Sequence, residues 1–180
     1  MRRRKHDVIQ PADTRRRQDN YLMPTLLDRL SDPAPHRLHE SPGEYAMTRN
    51  QMRDIIQRDL AYLLNTANLG DTLDVSQYPL AAASVINYGV PPLAGTHVVS
   101  RKWEDIQREI RKAILNFEHR LIPDALVIER LEGEGGGHYG DLSFEIRGMI
   151  RMDPYPLEFM VQSTLDLQTS QIHATSKRMG

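Results

Sequence analysis

An α+β fold is predicted for this chain of 180 residues: two main helices packed on a small antiparallel three-stranded sheet, with an N-terminal arm. Two observations predict it. Met52, Ile55, Ile56, Leu60, Leu63 and Leu64, and again Trp103, Ile106, Ile110, Ile114, Phe117 and Leu121, recur at three- and four-residue steps, as one face of a helix does. After Pro123 the period drops to two, so that alternate residues share a face, as in strands.

The chain opens on a charge imbalance. Residues 1 to 17 hold seven Arg or Lys against two Asp, whereas the whole chain has 23 basic and 24 acidic residues. A basic segment with Pro11 and few apolar residues reads as a flexible tail over 1–21. Residues 22–46 then form a docking segment and connector. Leu22, Met23, Leu26, Leu27 and Leu30 sit at helical spacing around Pro24, which is expected to start the helix, and Pro33 and Pro35 close it. So short a helix does not stand alone, so Leu22, Leu26, Leu27 and Leu30 are candidate partner-binding residues.

The body is expected over 47–171, with a flexible C-terminal tail over 172–180. Thr48 and Gln51 form a capping-box pattern ahead of the first long helix, whose polar face carries Arg49, Arg53, Asp54, Arg58 and Asp59. Tyr88, Gly89, Pro91 and Pro92 specify a compact turn and an extended exit. Ser100 is the expected cap of the second long helix, and Pro123 ends the helical reading just past Glu118, His119 and Arg120.

The strand candidates are Ala125–Leu131, the alternating run Asp141–Arg151 and the alternating run Leu157–Leu167. Glu145, Glu158 and Asp166 fall on the polar face. A sheet of three strands leaves accessible edges, either Ala125–Leu131 or Pro156–Leu167, with Gln162 an outward candidate for partner pairing.

Several chemistries lack their residues. The chain has no cysteine, which removes disulfides and thiolate ligands. The Gly133–Gly137 run lacks the Lys and Ser or Thr of a phosphate loop and reads as a hairpin connection. His36 and His39 near Asp32 and Glu40 occupy a polar connector without a metal-site pattern, so no metal or cofactor is expected. A near-zero net charge and no aromatic-interleaved basic stripe speak against nucleic acid as a partner. No apolar run of about 20 residues argues for insertion in a membrane. A glycosidase needs two acidic groups, and Glu118 supplies one candidate; Arg120 beside it favours the charged carboxylate over a neutral acid. A glutamate and arginine at a helix end can instead form a structural lock through charge-assisted hydrogen bonds, and that is the favoured reading.

LLDRLSD from Leu26, RDLAYLLNT from Arg58, YPLAAASVINYGVPPLAG from Tyr78, REIRKAILNFEHRL from Arg108 and PLEFMVQSTLDLQTSQ from Pro156 occur in order. Together they resemble the TssE family of baseplate subunits of type VI secretion systems, which is similar to the small wedge protein of contractile phage tails. The resemblance implies a structural, nonenzymatic wedge component that is cytoplasmic and sits in a baseplate docked at the inner membrane complex. It implies TssF and TssG as partners, with TssK a further candidate, and contact with the sheath proteins TssB and TssC and the tube and spike region. Glu118 and Arg120 match the charged members of that family's Glu-Pro-Arg signature, and His119 stands in place of its proline. The competing reading is a peptidoglycan-cleaving glycosidase using Glu118.

Overall fold

The computed structural model describes residues 25–31, 35–37, 47–74, 77–92, 102–131, 141–166, 169 and 171–175. The chain divides into two units, Met1–Thr48 and Arg49–Gly180. In the first, α1 spans Leu26–Leu30. Thr25 caps it, its hydroxyl accepting from the Asp28 amide, so the helix starts from Thr25 and not from Pro24. Leu26, Leu27 and Leu30 are all exposed.

In the second unit, α2 spans Arg49–Leu64 and buries Met52, Ile56, Leu60, Leu63 and Leu64, the stripe its periodicity marks out. Beyond it come a one-turn helix, α3, at Pro79–Ala82, and then α4 at Trp103–Phe117. α4 starts with Lys102 in the cap position and no side-chain cap, so Ser100 is not the residue that starts it. Glu104 and Asp105 in its first turn supply the negative charge that a helix N-terminus favours. Ile106, Ile110, Ala113 and Ile114 are its buried face, and Trp103 packs as an aromatic against Phe144, with ring centroids 5.9 Å apart.

The sheet is an antiparallel meander of four strands in the order β1-β2-β3-β4: Val127–Arg130, Asp141–Ile150, Leu157–Asp166 and Ile172–Thr175. The expected three strands are therefore one too few. The fourth lies in residues the sequence reading assigns to a C-terminal tail, and it pairs Ile172 with Leu165 and Thr175 with Gln162. Four residues with one large apolar side chain, Ile172, are too short to show an alternation.

Phe144, Ile146 and Ile150 of β2 and Leu157, Phe159, Val161 and Leu165 of β3 form the buried face of the sheet. α2 packs on β3, β4 and α4, and α4 packs on β1. Each fully buried aliphatic or aromatic side chain in such a layer contributes about 1.5–3 kcal/mol, so this one face holds the two-layer unit together. The opposite face is polar, with one correction. Glu145, expected among solvated residues, is nearly buried, held by Arg147 Nε at 2.9 Å and Gln162 Nε2 at 3.1 Å. Glu129 lies directly opposite it on β1, and Arg147 also pairs with Glu129, so one guanidinium separates two carboxylates. The Gly133–Gly137 run lies outside the described residues.

Candidate functional site

α4 ends on the three residues that its apolar stripe runs into. Glu118 is the C-cap, its amide donating to Ile114 O at 2.8 Å, and its side chain is only 6% exposed. A buried carboxylate needs donors, and the turn provides them. Arg120 donates from its backbone amide to Glu118 Oε1 at 3.1 Å, from Nε to Oε1 at 2.7 Å and from Nη2 to Oε2. His119, between the two, is exposed.

The same Nη2 donates to Asp59 Oδ2 on α2 at 2.6 Å. Asp59 is held in turn by Arg58, whose Nε and Nη2 reach Oδ1 at 3.1 and 2.9 Å. Four charges thus alternate as Arg58, Asp59, Arg120 and Glu118, two of each sign. The Arg120 backbone meets the sheet, its carbonyl accepting from the Arg151 amide at 2.7 Å, while Leu121 bridges Ile150. One residue therefore ties α2, the end of α4 and the end of β2 together.

Burial alone would lower the pKa of Arg120, but hydrogen bonds and charge from Glu118 and Asp59 outweigh it and raise the pKa further above the usual arginine range. The guanidinium is permanently charged. Its Nη1 is buried without a hydrogen-bond partner among the described residues, so the fork spends Nε and Nη2 on two carboxylates and leaves the two N–H groups of Nη1 unfilled. Tyr88 flanks the network and packs edge-on against Phe117, with centroids 5.2 Å apart. Burial first, then the charges of Asp59 and Glu118, push its phenol pKa up.

Tyr88 is placed by the turn that follows it. Gly89 has φ +118°, and a Cβ there would stand 2.1 Å from Thr66 O. Only glycine lets Val90 run beside Ala67, with Val90 N donating to Thr66 O at 2.9 Å and Asn68 N to Val90 O at 3.0 Å.

The edges of the sheet form the second part of the site. In an antiparallel ladder alternate residues direct their amides and carbonyls outward. On β1, Gln107 Nε2 takes the outward Ile128 carbonyl at 2.6 Å, and just before the strand Arg111 Nη1 takes that of Leu126 at 2.6 Å. On β4, the Asn65 side chain takes both outward groups of Ile172, donating to its carbonyl at 2.9 Å and accepting from its amide at 2.8 Å. β4 ends opposite Gln162, so Leu157–Val161 of β3 has no strand beside it on that side among the described residues. There Arg53 Nε takes Glu158 O at 2.9 Å.

The sequence-derived candidates therefore separate. Glu118 and Arg120 come together. Gln162 is not at an edge: it pairs with Glu145 of β2 and Thr175 of β4. Leu26, Leu27 and Leu30 are on α1 in the other unit, and Leu22 lies outside the described residues. Asp59, which the sequence reading leaves on the polar face of a helix, and Asn65, just past the end of α2, carry long-range contacts. Among the described residues no group of three or more His, Cys, Asp or Glu is placed to hold a metal ion. No helix among them is long and apolar enough to cross a membrane.

The charged corner thus ties two helices to the sheet of a two-layer α+β unit. Residues 50–155 match the family described as baseplate wedge protein gp25, more than half of the chain, and the chain belongs to that family. Its role is therefore structural, in a phage-tail-like baseplate. The match covers α2 through β2 and the locked corner; β3 and β4 follow it. Comparisons with curated proteins and with solved structures gave no match.

Proposed function

We propose that this chain is the TssE-type wedge subunit of a type VI secretion baseplate, joining TssF and TssG and helping to initiate assembly of the TssB and TssC sheath around the tube and spike. TssK is a further contact in this reading, and the assembly stands on the cytoplasmic side, docked at the inner membrane complex. The observation that carries the reading is the pairing of Glu118 with Arg120. These are the two charged positions that match the TssE signature, and they close on Asp59 inside the span of the family match. A lock of this kind holds the helix layer at a set angle to the sheet, which a subunit that templates a larger ring requires.

Sheath contact is proposed at a sheet edge by strand addition. Leu157–Val161 is favoured because it has one outward carbonyl taken, that of Glu158 by Arg53, whereas α4 side chains take two along the other edge, that of Ile128 on β1 and that of Leu126 just before it. A glycosidase reading gains nothing from the geometry. Both oxygens of Glu118 are engaged by Arg120, so the carboxyl has no oxygen turned to a substrate.

Co-expression with TssF and TssG tests the assignment. A stable complex that contains this chain is expected. Recovery of TssF and TssG without it, from cells in which it is folded and abundant, would overturn the assignment.

A further inference from the structure

Along β3 the stretch Leu157–Val161 has no strand beside it on the β4 side among the described residues. Asp166 N donates across to Gln171 O, so residues an even step before Asp166 turn their backbone groups to that side. In the open stretch these are Glu158 and Met160. An edge of this kind is a template for any passing strand, a second copy of the chain included, and a charged side chain reaching over it is one means of blocking it.

Arg53 reaches this edge from near the start of α2, in the same unit. Its Nε donates to Glu158 O at 2.9 Å and its Nη1 to Asn50 Oδ1 at 3.1 Å. The side chains on the other edges are held more firmly. Asn65 takes both outward groups of Ile172, a buried residue. Arg111 holds two carbonyls, that of Leu126 at 2.6 Å and that of Pro123 at 3.3 Å, and Gln107 holds Ile128 O at 2.6 Å in a half-buried position. Arg53 makes a single bond to the sheet, at an exposed site, and its other bond is to its own helix. A side-chain rotation therefore takes the guanidinium off Glu158 O without breaking another tie to the sheet.

We infer that Arg53 is a removable guard of the open edge and sets how well a strand must fit in order to add there. This role presupposes the strand addition proposed for the sheath and names the residue that regulates it. A full antiparallel ladder uses the amide and the carbonyl of both Glu158 and Met160, so a pairing strand meets the guanidinium at Glu158 O. A hydrogen bond from a charged donor is roughly twice as strong as a neutral one, so exchanging Arg53 for a strand amide is unfavourable in itself. That exchange raises the threshold for main-chain pairing with an arbitrary chain. A strand whose side chains also pack against β3 and the start of α2 passes it, and the displaced guanidinium keeps Asn50 Oδ1 as an acceptor.

Wedges assembled from TssF, TssG and the full chain test this, with the lowest TssB and TssC concentration that nucleates sheath as the readout. Arg53→Met keeps the stem and removes the donors, and because Arg53 is half-exposed the melting temperature should hold. The threshold should fall about threefold or more, the size of one net hydrogen bond. Arg53→Lys, which keeps a charged donor, should return it to the wild-type value, and adding Met160→Pro to Arg53→Met should stop nucleation. A threshold that Arg53→Met leaves unchanged or raises, with Met160→Pro still blocking, would overturn the guard and reduce Arg53 to a tie between α2 and β3, while the edge assignment stood. So would a threshold for Arg53→Lys as low as that for Arg53→Met, because a charged donor would then not be what holds strands off. Nucleation by the chain carrying both Arg53→Met and Met160→Pro, or none by the wild type, would overturn the edge assignment itself and the guard with it.

Discussion

Arg120 Nη2 and Asp59 Oδ2 lie 2.6 Å apart across 61 residues of sequence. That contact turns a local turn at the end of α4 into a joint between the helices, because the same guanidinium also grips Glu118 and its backbone accepts from Arg151.

Removing the cation should cost more than removing either carboxylate. Arg120→Ala leaves Glu118 buried without its donors and should destabilise by about 3 kcal/mol, whereas Asp59→Asn should cost about 1 kcal/mol. Chemical denaturation measures both. Double-mutant cycles should give stronger coupling for Glu118 with Arg120 than for Asp59 with Arg120; the reverse order would mean that the link between helices, not the turn, holds the corner.

Gly89→Ala forces a Cβ into the Thr66 carbonyl at a φ that alanine rarely adopts. A loss above about 2 kcal/mol is expected from strain together with overpacking. The amide of Val90 should lose hydrogen-exchange protection before that of any β2 residue. Unchanged stability would show that the turn relaxes freely.

Asn65→Leu removes the only side chain seen on the outward groups of Ile172 among the described residues. Unsatisfied backbone groups at a nearly buried residue cost about 1–3 kcal/mol. The loss should be local: faster exchange at Ile172–Thr175, with the β2–β3 ladder protected as before. Uniform loss of protection would instead make β4 part of the global folding unit.

Tyr88 sets an alkaline limit. Its phenol is harder to ionise in the folded chain than at its usual pKa of 10.0, because burial and the charges of Asp59 and Glu118 disfavour the anion. The unfolded chain therefore loses that proton at lower pH. Its contribution is fully present below pH 10 and is lost as pH rises through and above that value. Tyr88→Phe should flatten the alkaline limb of a stability profile and leave the limb below pH 9 unchanged.

The long elements were legible because their signal is local. The stripe from Met52 to Leu64 and the alternation from Leu142 to Ile150 each repeat often enough to name a face. β4 was not legible, since His173 and Thr175 alternate with Ile172 and Ala174 over only four residues. It is also held by Asn65, more than 100 residues earlier. The charged corner was half legible. Glu118 and Arg120 are near neighbours, but Asp59 sits among other charges on a helix face, and nothing in its spacing marks it as the one that turns inward. Gln162 was misplaced for a related reason: a strand's rank as edge or interior is decided by the other strands, and one of those was not visible.

The proposed sheath contact at the open edge is tested most directly by proline substitutions in the strands. The amide of Met160 faces the open side of β3, so Met160→Pro spares the β2 ladder while blocking strand addition at Leu157–Val161; Arg130→Pro does the same for the outer side of β1. Sheath polymerisation from TssB and TssC should be measured on wedges assembled with TssF, TssG and each folded variant. The account predicts nucleation by the wild type and by Arg130→Pro, and its loss with Met160→Pro. Normal nucleation by Met160→Pro would contradict the edge assignment, and sheath assembly that proceeds equally well without this chain would contradict its role as a baseplate template.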